Sequence, residues 1–356
     1  MGTMLYKKIY ELQGTLSTPL RSESSRGMSS QDSQEIESTA DRALRSGIDL
    51  YHHRRFEEAV SLLQQALMDY QHEHSSEGLG RTHSALGLVY YALGNYRDSI
   101  TEAHQGLDAA RQAGDRRTER QALGTLGNAY RHMGNHEVAI AYKLESLNIS
   151  RAIDDHRGEV AALNNLGMAY KAIGDCDRAI AFYEQALELV RPLHDLRVES
   201  QVLRNLGNAH HSNANYCKTL DYYEQLLVVT RQMDDLRTQG QVLKNLASVC
   251  YAAGQLPKAT DYHRQRLVLV RSLCDRRAEE QTLENLGVIY DALGEYDKAI
   301  YYYEQRLEVV RSLPDWELER QTLKCLENLC HAIGDYARMS RYTHEAITLD
   351  SQGAVA

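Results

Sequence analysis

The chain has 356 residues, 43% of them hydrophobic, with 4 prolines, 23 glycines, and 23 tyrosines against 2 phenylalanines. A net charge of −9 argues against non-specific binding to nucleic acid or to an anionic membrane surface. No apolar run approaches the roughly 20 residues of a membrane span, and the N-terminus lacks the apolar stretch of a secretory signal. The expectation is a cytoplasmic protein, without nucleic acid or membrane insertion among its partners.

In chain order, "MLYKKIYEL" at the N-terminus reads as one short amphipathic helix, and the Ser-rich "STPLRSESSRGMSSQDSQ" follows it. Too polar to bury a core, residues 1–37 are expected to be a flexible segment, the alternative being that they fold back into the chain's own groove as an autoinhibitory peptide. Met28 is an alternative start. From about residue 38 the chain repeats. Gly94, Gly134, Gly174, Gly254, Gly294 and Gly334 fall on one 40-residue step, with Ala214 filling the gap, and Leu86, Leu126, Leu166, Leu206, Leu246, Leu286 and Leu326 keep the same step. Extrapolated back to Gly47 and Tyr51, this gives eight units over residues 38–350, leaving 351–356 as a tail.

Each unit reads as two helices. In "VESQVLRNLGNAHHS", Val202, Leu203, Leu206, Gly207 and Ala209 recur at helical spacing, and in "DRAIAFYEQALELVR" Ala179, Ile180, Tyr183, Ala186, Leu187 and Val190 do the same. The glycine between them tolerates the left-handed backbone that ends the first helix. One such hairpin cannot bury its own apolar face, whereas a stack can. An all-α helical-hairpin solenoid is therefore expected.

"NLGMAYKAIGDCDRAIAFYEQAL" resembles the tetratricopeptide repeat, with Leu166, Gly167, Tyr170, Gly174, Ala179, Tyr183 and Ala186 at its signature places. The step is longer than that family's usual length of about 34 residues. It is similar to the long-repeat variant found in Pins-type G-protein-signalling modulators, kinesin light chains and multi-repeat bacterial, notably cyanobacterial, proteins. The resemblance implies a right-handed superhelix that binds proteins, with first helices lining its concave groove. Arg54 and Glu327 depart from the glycine columns in the end units, as caps would. Arg266 and Arg306 stand where the family has alanine, so looser packing is expected around them.

Asparagine is a mediocre helix former, yet one column of the first helix holds Asn165, Asn205, Asn245 and Asn285. At about 100° per residue this column falls opposite the apolar face, beside Asn128, Asn208, Gln201, Gln241, Gln281 and His211. A carboxamide offers two donors and two acceptors, which suits the repeating main chain of an extended peptide. The resemblance implies such a clamp, because relatives such as the superhelix of O-GlcNAc transferase use asparagine ladders; the other reading is that the asparagines only orient neighbouring helices. Arg131, Lys171, Arg204 and Lys244 on the same face favour an acidic ligand, with Glu284 and Asp291 reversing the sign further on.

Arg111, Arg151, Arg191, Arg231, Arg271 and Arg311 close every second helix, where a cation complements the helix dipole and an aspartate four residues on is expected to pair with it. The six cysteines show no zinc-ligand spacing and read as buried thiols. The histidines are scattered, so no metal and no cofactor is expected. No phosphate loop, zinc-protease or nucleophile-elbow motif occurs, so no enzyme is expected. The reading is a non-enzymatic adaptor or assembly scaffold whose groove holds an extended, acidic protein segment. The alternatives are a regulatory receptor that changes pitch on binding, and a self-associating array built on exposed tyrosines.

Overall fold

The computed structural model describes residues 38–313 and 315–353, so the expectations for residues 1–37, Met28 included, lie outside the described residues. Sixteen α-helices and no strand occur among the described residues. They alternate as first and second helices of eight hairpins: α1 (Thr39–His52) with α2 (Phe56–His72), α3 (Ser76–Ala92) with α4 (Tyr96–Ala113), and α5 (Arg116–His132) with α6 (His136–Ala152). Then come α7 (His156–Ala172) with α8 (Cys176–Val190), α9 (Leu196–Ser212) with α10 (Tyr216–Gln232), and α11 (Leu236–Ala252) with α12 (Leu256–Ser272). The last two are α13 (Arg276–Ala292) with α14 (Tyr296–Val310) and α15 (Trp316–Ala332) with α16 (Tyr336–Gly353). The last helix runs to Gly353, beyond the expected end at 350.

The chain divides into two compact units at Phe182/Tyr183, inside α8. In the first unit, α1 to α7 pack each on the next, and first helices also touch directly, α1 on α3, α3 on α5 and α5 on α7. In the second unit, α9 to α16 likewise pack each on the next. The leucine column is the core of each unit: Leu126 and Leu166 in the first, and Leu206, Leu246, Leu286 and Leu326 in the second, are fully buried.

Local chemistry sets the helix ends. Gly94 ends α3 at φ +80°, and the amide of Asn95 reaches back to the Tyr90 carbonyl at 2.9 Å, the closing bond of a left-handed C-terminal cap. Ala214 and Arg54 hold the same turn at φ +55° and +60°, where a side chain is strained. The second break of the repeat is also left-handed, at His74, Asp154, His194, Asp234 and Cys274. No glycine column announces it. The aspartate column starts the next first helix: Asp155, Asp195, Asp235 and Asp275 accept the amides of Gly158, Val198, Thr238 and Ala278.

This corrects the expected arginine–aspartate pairs. The aspartates are spent on capping, and the arginines reach past them to the next turn: Arg111 to Glu119 (2.9 Å), Arg151 to Glu159 (2.6 Å), Arg271 to Glu279 (2.7 Å) and Arg311 to Glu319 (2.8 Å). Arg266 and Arg306, the residues that stand in the alanine column, are both buried, at 5% and 1% exposure. The thiols are not all interior: Cys250 and Cys330 are buried, but Cys217 and Cys274 are exposed because they sit in a first turn and an interhelical turn.

Candidate functional site

The first helices expose one face. Along α9, Val202, Leu203, Leu206, Gly207, Ala209 and His210 are buried, whereas Gln201, Arg204 and His211 are exposed and Asn205 and Asn208 half-buried. The same columns recur on α11, with Gln241 exposed and Lys244 and Asn245 half-buried, and on α13, with Gln281, Glu284 and Asn285 half-buried. In the first unit, Asn128 and Arg131 on α5 and Asn165 and Lys171 on α7 are half-buried.

The carboxamides of that face are not equally available. A second-helix side chain crosses the small residue of the first helix and bonds the outer column: Tyr223 Oη donates to Asn208 Oδ1 at 2.6 Å, and Lys143 Nζ donates to Asn128 Oδ1 at 2.6 Å and to the Gly124 carbonyl at 2.7 Å. The Oδ1 atoms of these two asparagines are therefore engaged from the second helix. Asn245 accepts from Gln241 Nε2 at 3.0 Å, and Gln281 accepts from Lys244 Nζ at 2.9 Å. Asn165 and Asn285 keep their carboxamides free of partners among the described residues.

The glycine column makes those crossings fit. A Cβ at Gly207 would stand 2.4 Å from Tyr223 Cε1, and one at Gly127 would stand 2.6 Å from Lys143 Cε. Among the basic residues, Lys171 has its ammonium pushed below the ordinary range by burial, and Arg131 Nη2 sits 2.9 Å from His132 Nε2. Stacked rings continue the layer behind the face, with Tyr170 on Phe182, His210 on Tyr222 and Tyr290 on Tyr302 at 5.3 Å between centroids.

Sequence reasoning missed a polar layer beneath the face. Lys143 is 2% exposed, and burial, then the charges of Arg131 and Arg120, lower its ammonium to about 7. Arg306 is bonded to Glu280 by Nε at 2.7 Å and by Nη2 at 2.6 Å, with Glu284 3.2 Å from Nη2. Arg266 and His263 lie buried one repeat earlier. The signal was present in the columns, because Lys143 and His263 occupy the place of Tyr183, Tyr223 and Tyr303. In the first unit, a polar pocket of about 540 Å³ opens beside the starts of α5 and α7, lined by Arg117, Arg120 and Arg157 together with Asp154 and Asp155. Arg120 and Asp155 are paired there at 2.9 Å. Among the described residues no helix is long and apolar enough to cross a membrane, and no group of His, Cys, Asp or Glu is placed to hold a metal.

Helical hairpins in tandem, a glycine column crossed by the partner helix, and a periodic polar face define a helical-repeat protein. Residues 118–191 and 282–315 match models of the tetratricopeptide repeat, and the chain is a tetratricopeptide-repeat protein. No curated protein matches it at a significant level. Among solved structures it is similar to the apo form of RapI, at 16% identity over 76% of this chain and 97% of that one, with a TM-score of 0.55. A STAND signal-transduction ATPase with a tetratricopeptide repeat sensor, from Pyrococcus horikoshii, matches at 15% identity over 90% of this chain and 49% of that one, with a TM-score of 0.61. The C-terminal part of a tetratricopeptide repeat protein from Cytophaga hutchinsonii matches at 12% identity over 80% of this chain and 99% of that one, with a TM-score of 0.59. At such identities the likeness is one of fold.

Proposed function

We propose that the chain is a non-enzymatic adaptor whose first-helix face in the second unit is a groove for an extended, acidic segment of a partner protein. The observation that carries this reading is the column Asn205, Asn245 and Asn285, half-buried on the same face of three successive first helices. A half-buried carboxamide costs helix propensity and contributes nothing to the leucine core. It can, however, exchange paired hydrogen bonds with a peptide main chain whatever the peptide's side chains are. Arg204 and Lys244 next to that column give the preference for acidic sequence, because cations on one face of a chain of net charge −9 attract an oppositely charged segment.

The test is affinity capture from the source cells with the full chain and with a chain carrying Asn205→Ala, Asn245→Ala and Asn285→Ala. Cross-linking and mass spectrometry would locate the captured segment. The expected result is one segment cross-linked to α9, α11 and α13 and lost from the triple variant, whose helical circular dichroism stays unchanged. Equal capture by both chains sinks the reading.

A further inference from the structure

Arg266 and Arg306 occupy the same place in consecutive repeats, each projecting from a second helix into the layer beneath the first-helix face. In repeat seven the arginine is answered from within. Glu280 takes Nε and Nη2, and Glu284, whose side chain is 43% exposed, stands 3.2 Å from Nη2. The guanidinium of this column therefore reaches a side chain that solvent also reaches.

In repeat six both carboxylates are missing. The position of Glu280 is Gly240, and the position of Glu284 is Lys244. Arg266 Nη1 donates to Thr282 Oγ1 at 2.6 Å, but its buried Nε meets no protein acceptor, and no carboxylate lies within ion-pair distance of it among the described residues. The nearest acidic influence is Asp275, whose carboxylate is engaged in capping α13. His263 is equally buried, and its Nδ1 also meets no protein partner. Burial, then the charges of Arg266 and Lys244, push its imidazolium down to about 4. Two cations and a neutral imidazole thus converge without a counter-charge. A buried guanidinium is strongly stabilised by a paired, hydrogen-bonded carboxylate and penalised without one. A side chain can start from position 240, since a Cβ at Gly240 would meet only Leu269 Cδ2, at an ordinary 3.5 Å.

We infer that Lys244, His263 and Arg266 form a subsite that takes one carboxylate side chain of the bound segment, doing for repeat six from outside what Glu280 does for repeat seven from inside. The inference rests on the groove reading and names the chemistry at one point of it. Lys244 and Arg266 bracket the carboxylate, and the free Nε supplies the donor. A glutamate built at position 240 is a competitor for the same place.

The experiment measures anisotropy of fluorescein-labelled hexaglutamate and hexaglutamine peptides on the full chain. The variants are Arg266→Leu, which copies Leu226 of the preceding repeat, Gly240→Glu, which copies Glu280, and Asn205→Ala with Asn245→Ala. Hexaglutamate is expected to bind about tenfold tighter than hexaglutamine, and Arg266→Leu and Gly240→Glu should each cut that preference severalfold, leaving the part that Arg204 and Lys244 supply. Gly240→Glu should also raise the melting temperature, because it completes the buried pair; a lower one shows that a carboxylate at this place does not reach Arg266 and overturns the inference. Unchanged preference in both variants, or no hexaglutamate binding at millimolar concentration, overturns it too. If the asparagine variant loses both peptides while Arg266→Leu keeps its preference, the groove stands and the subsite falls. If only the charge variants lose hexaglutamate, the subsite stands without the asparagines.

Discussion

Repeats six and seven are built on one plan and balanced in opposite ways. Both bury an arginine against the following or the same first helix, but repeat seven surrounds Arg306 with Glu280 and Glu284, whereas repeat six surrounds Arg266 with Gly240, Lys244 and His263. The first is a closed arrangement, every charge answered by a neighbour in the fold. The second leaves a charge for which the fold provides no counterpart. Since each repeat packs mainly on its neighbours, one repeat can hold such an imbalance while the next one supplies stability.

The largest effect should come from opening the closed arrangement. Glu280→Ala leaves Arg306, at 1% exposure, with only the half-exposed Glu284, and is expected to lower stability by about 3–5 kcal/mol in urea unfolding. A loss smaller than that from Arg266→Leu would erase the distinction between the two repeats.

Next comes pH. His263 has its folded value lowered from 6.5 to about 4, so below 6.5 the unfolded chain binds a proton that the folded chain refuses. Stability should therefore fall as pH drops from 6.5 to 4 and level off below, by up to about 3 kcal/mol. His263→Tyr, which copies Tyr303, should flatten that slope; a slope that survives the substitution belongs to other groups.

A smaller difference is steric. A Cβ at Gly287 would stand 2.6 Å from Tyr303 Cε2, so Gly287→Ala should cost about 1–3 kcal/mol. Repeat six already carries Ala247 at that position, with the smaller His263 in place of the tyrosine. Thermal unfolding of Gly287→Ala alone and combined with Tyr303→His should show the double change recovering part of the loss. The smallest effect is at the caps. Asp235→Ala and Asp275→Ala each remove a cap and should cost about 1 kcal/mol, Asp235→Ala the more because its carboxylate also bonds the Thr238 side chain. A larger loss at Asp275 would mean that it also serves Arg266.

The hairpins were legible because their causes are local and repeated. Gly94 and its equivalents mark the turn inside each unit, and Leu206 and its equivalents mark the buried stripe. The second turn was not marked, since Asp154, His194, Asp234 and Cys274 adopt a left-handed backbone that glycine would normally advertise. The pairing of Arg111 with Glu119 was misread because sequence proximity favoured Asp115, which the next helix needs as a cap. The exposed face was readable from helical angle. What lay under it was not, because Lys143 meets Asn128 from 15 residues away and Arg306 meets Glu280 from 26 away, across two helices whose crossing no single-helix pattern contains.

The links between second helices have a further consequence. In the second unit, Arg191 reaches Gln225, Arg231 reaches Gln265 and Arg271 reaches Gln305, each 34 residues on, while Tyr222, Tyr262 and Tyr342 reach back 38 residues to Glu184, Glu224 and Glu304. Each of these fastenings joins a repeat to its immediate neighbour, and two junctions keep the offset with other residues: Arg311 reaches Glu345, and Tyr302 meets Arg264 in place of a glutamate. Duplicating repeat five, which carries Tyr222, Glu224, Gln225 and Arg231, therefore leaves an arginine facing a glutamine and a tyrosine facing a glutamate at the new seam. Such a chain can gain a repeat there by recombination without redesigning the junction, so the number of repeats is open to selection independently of the fold.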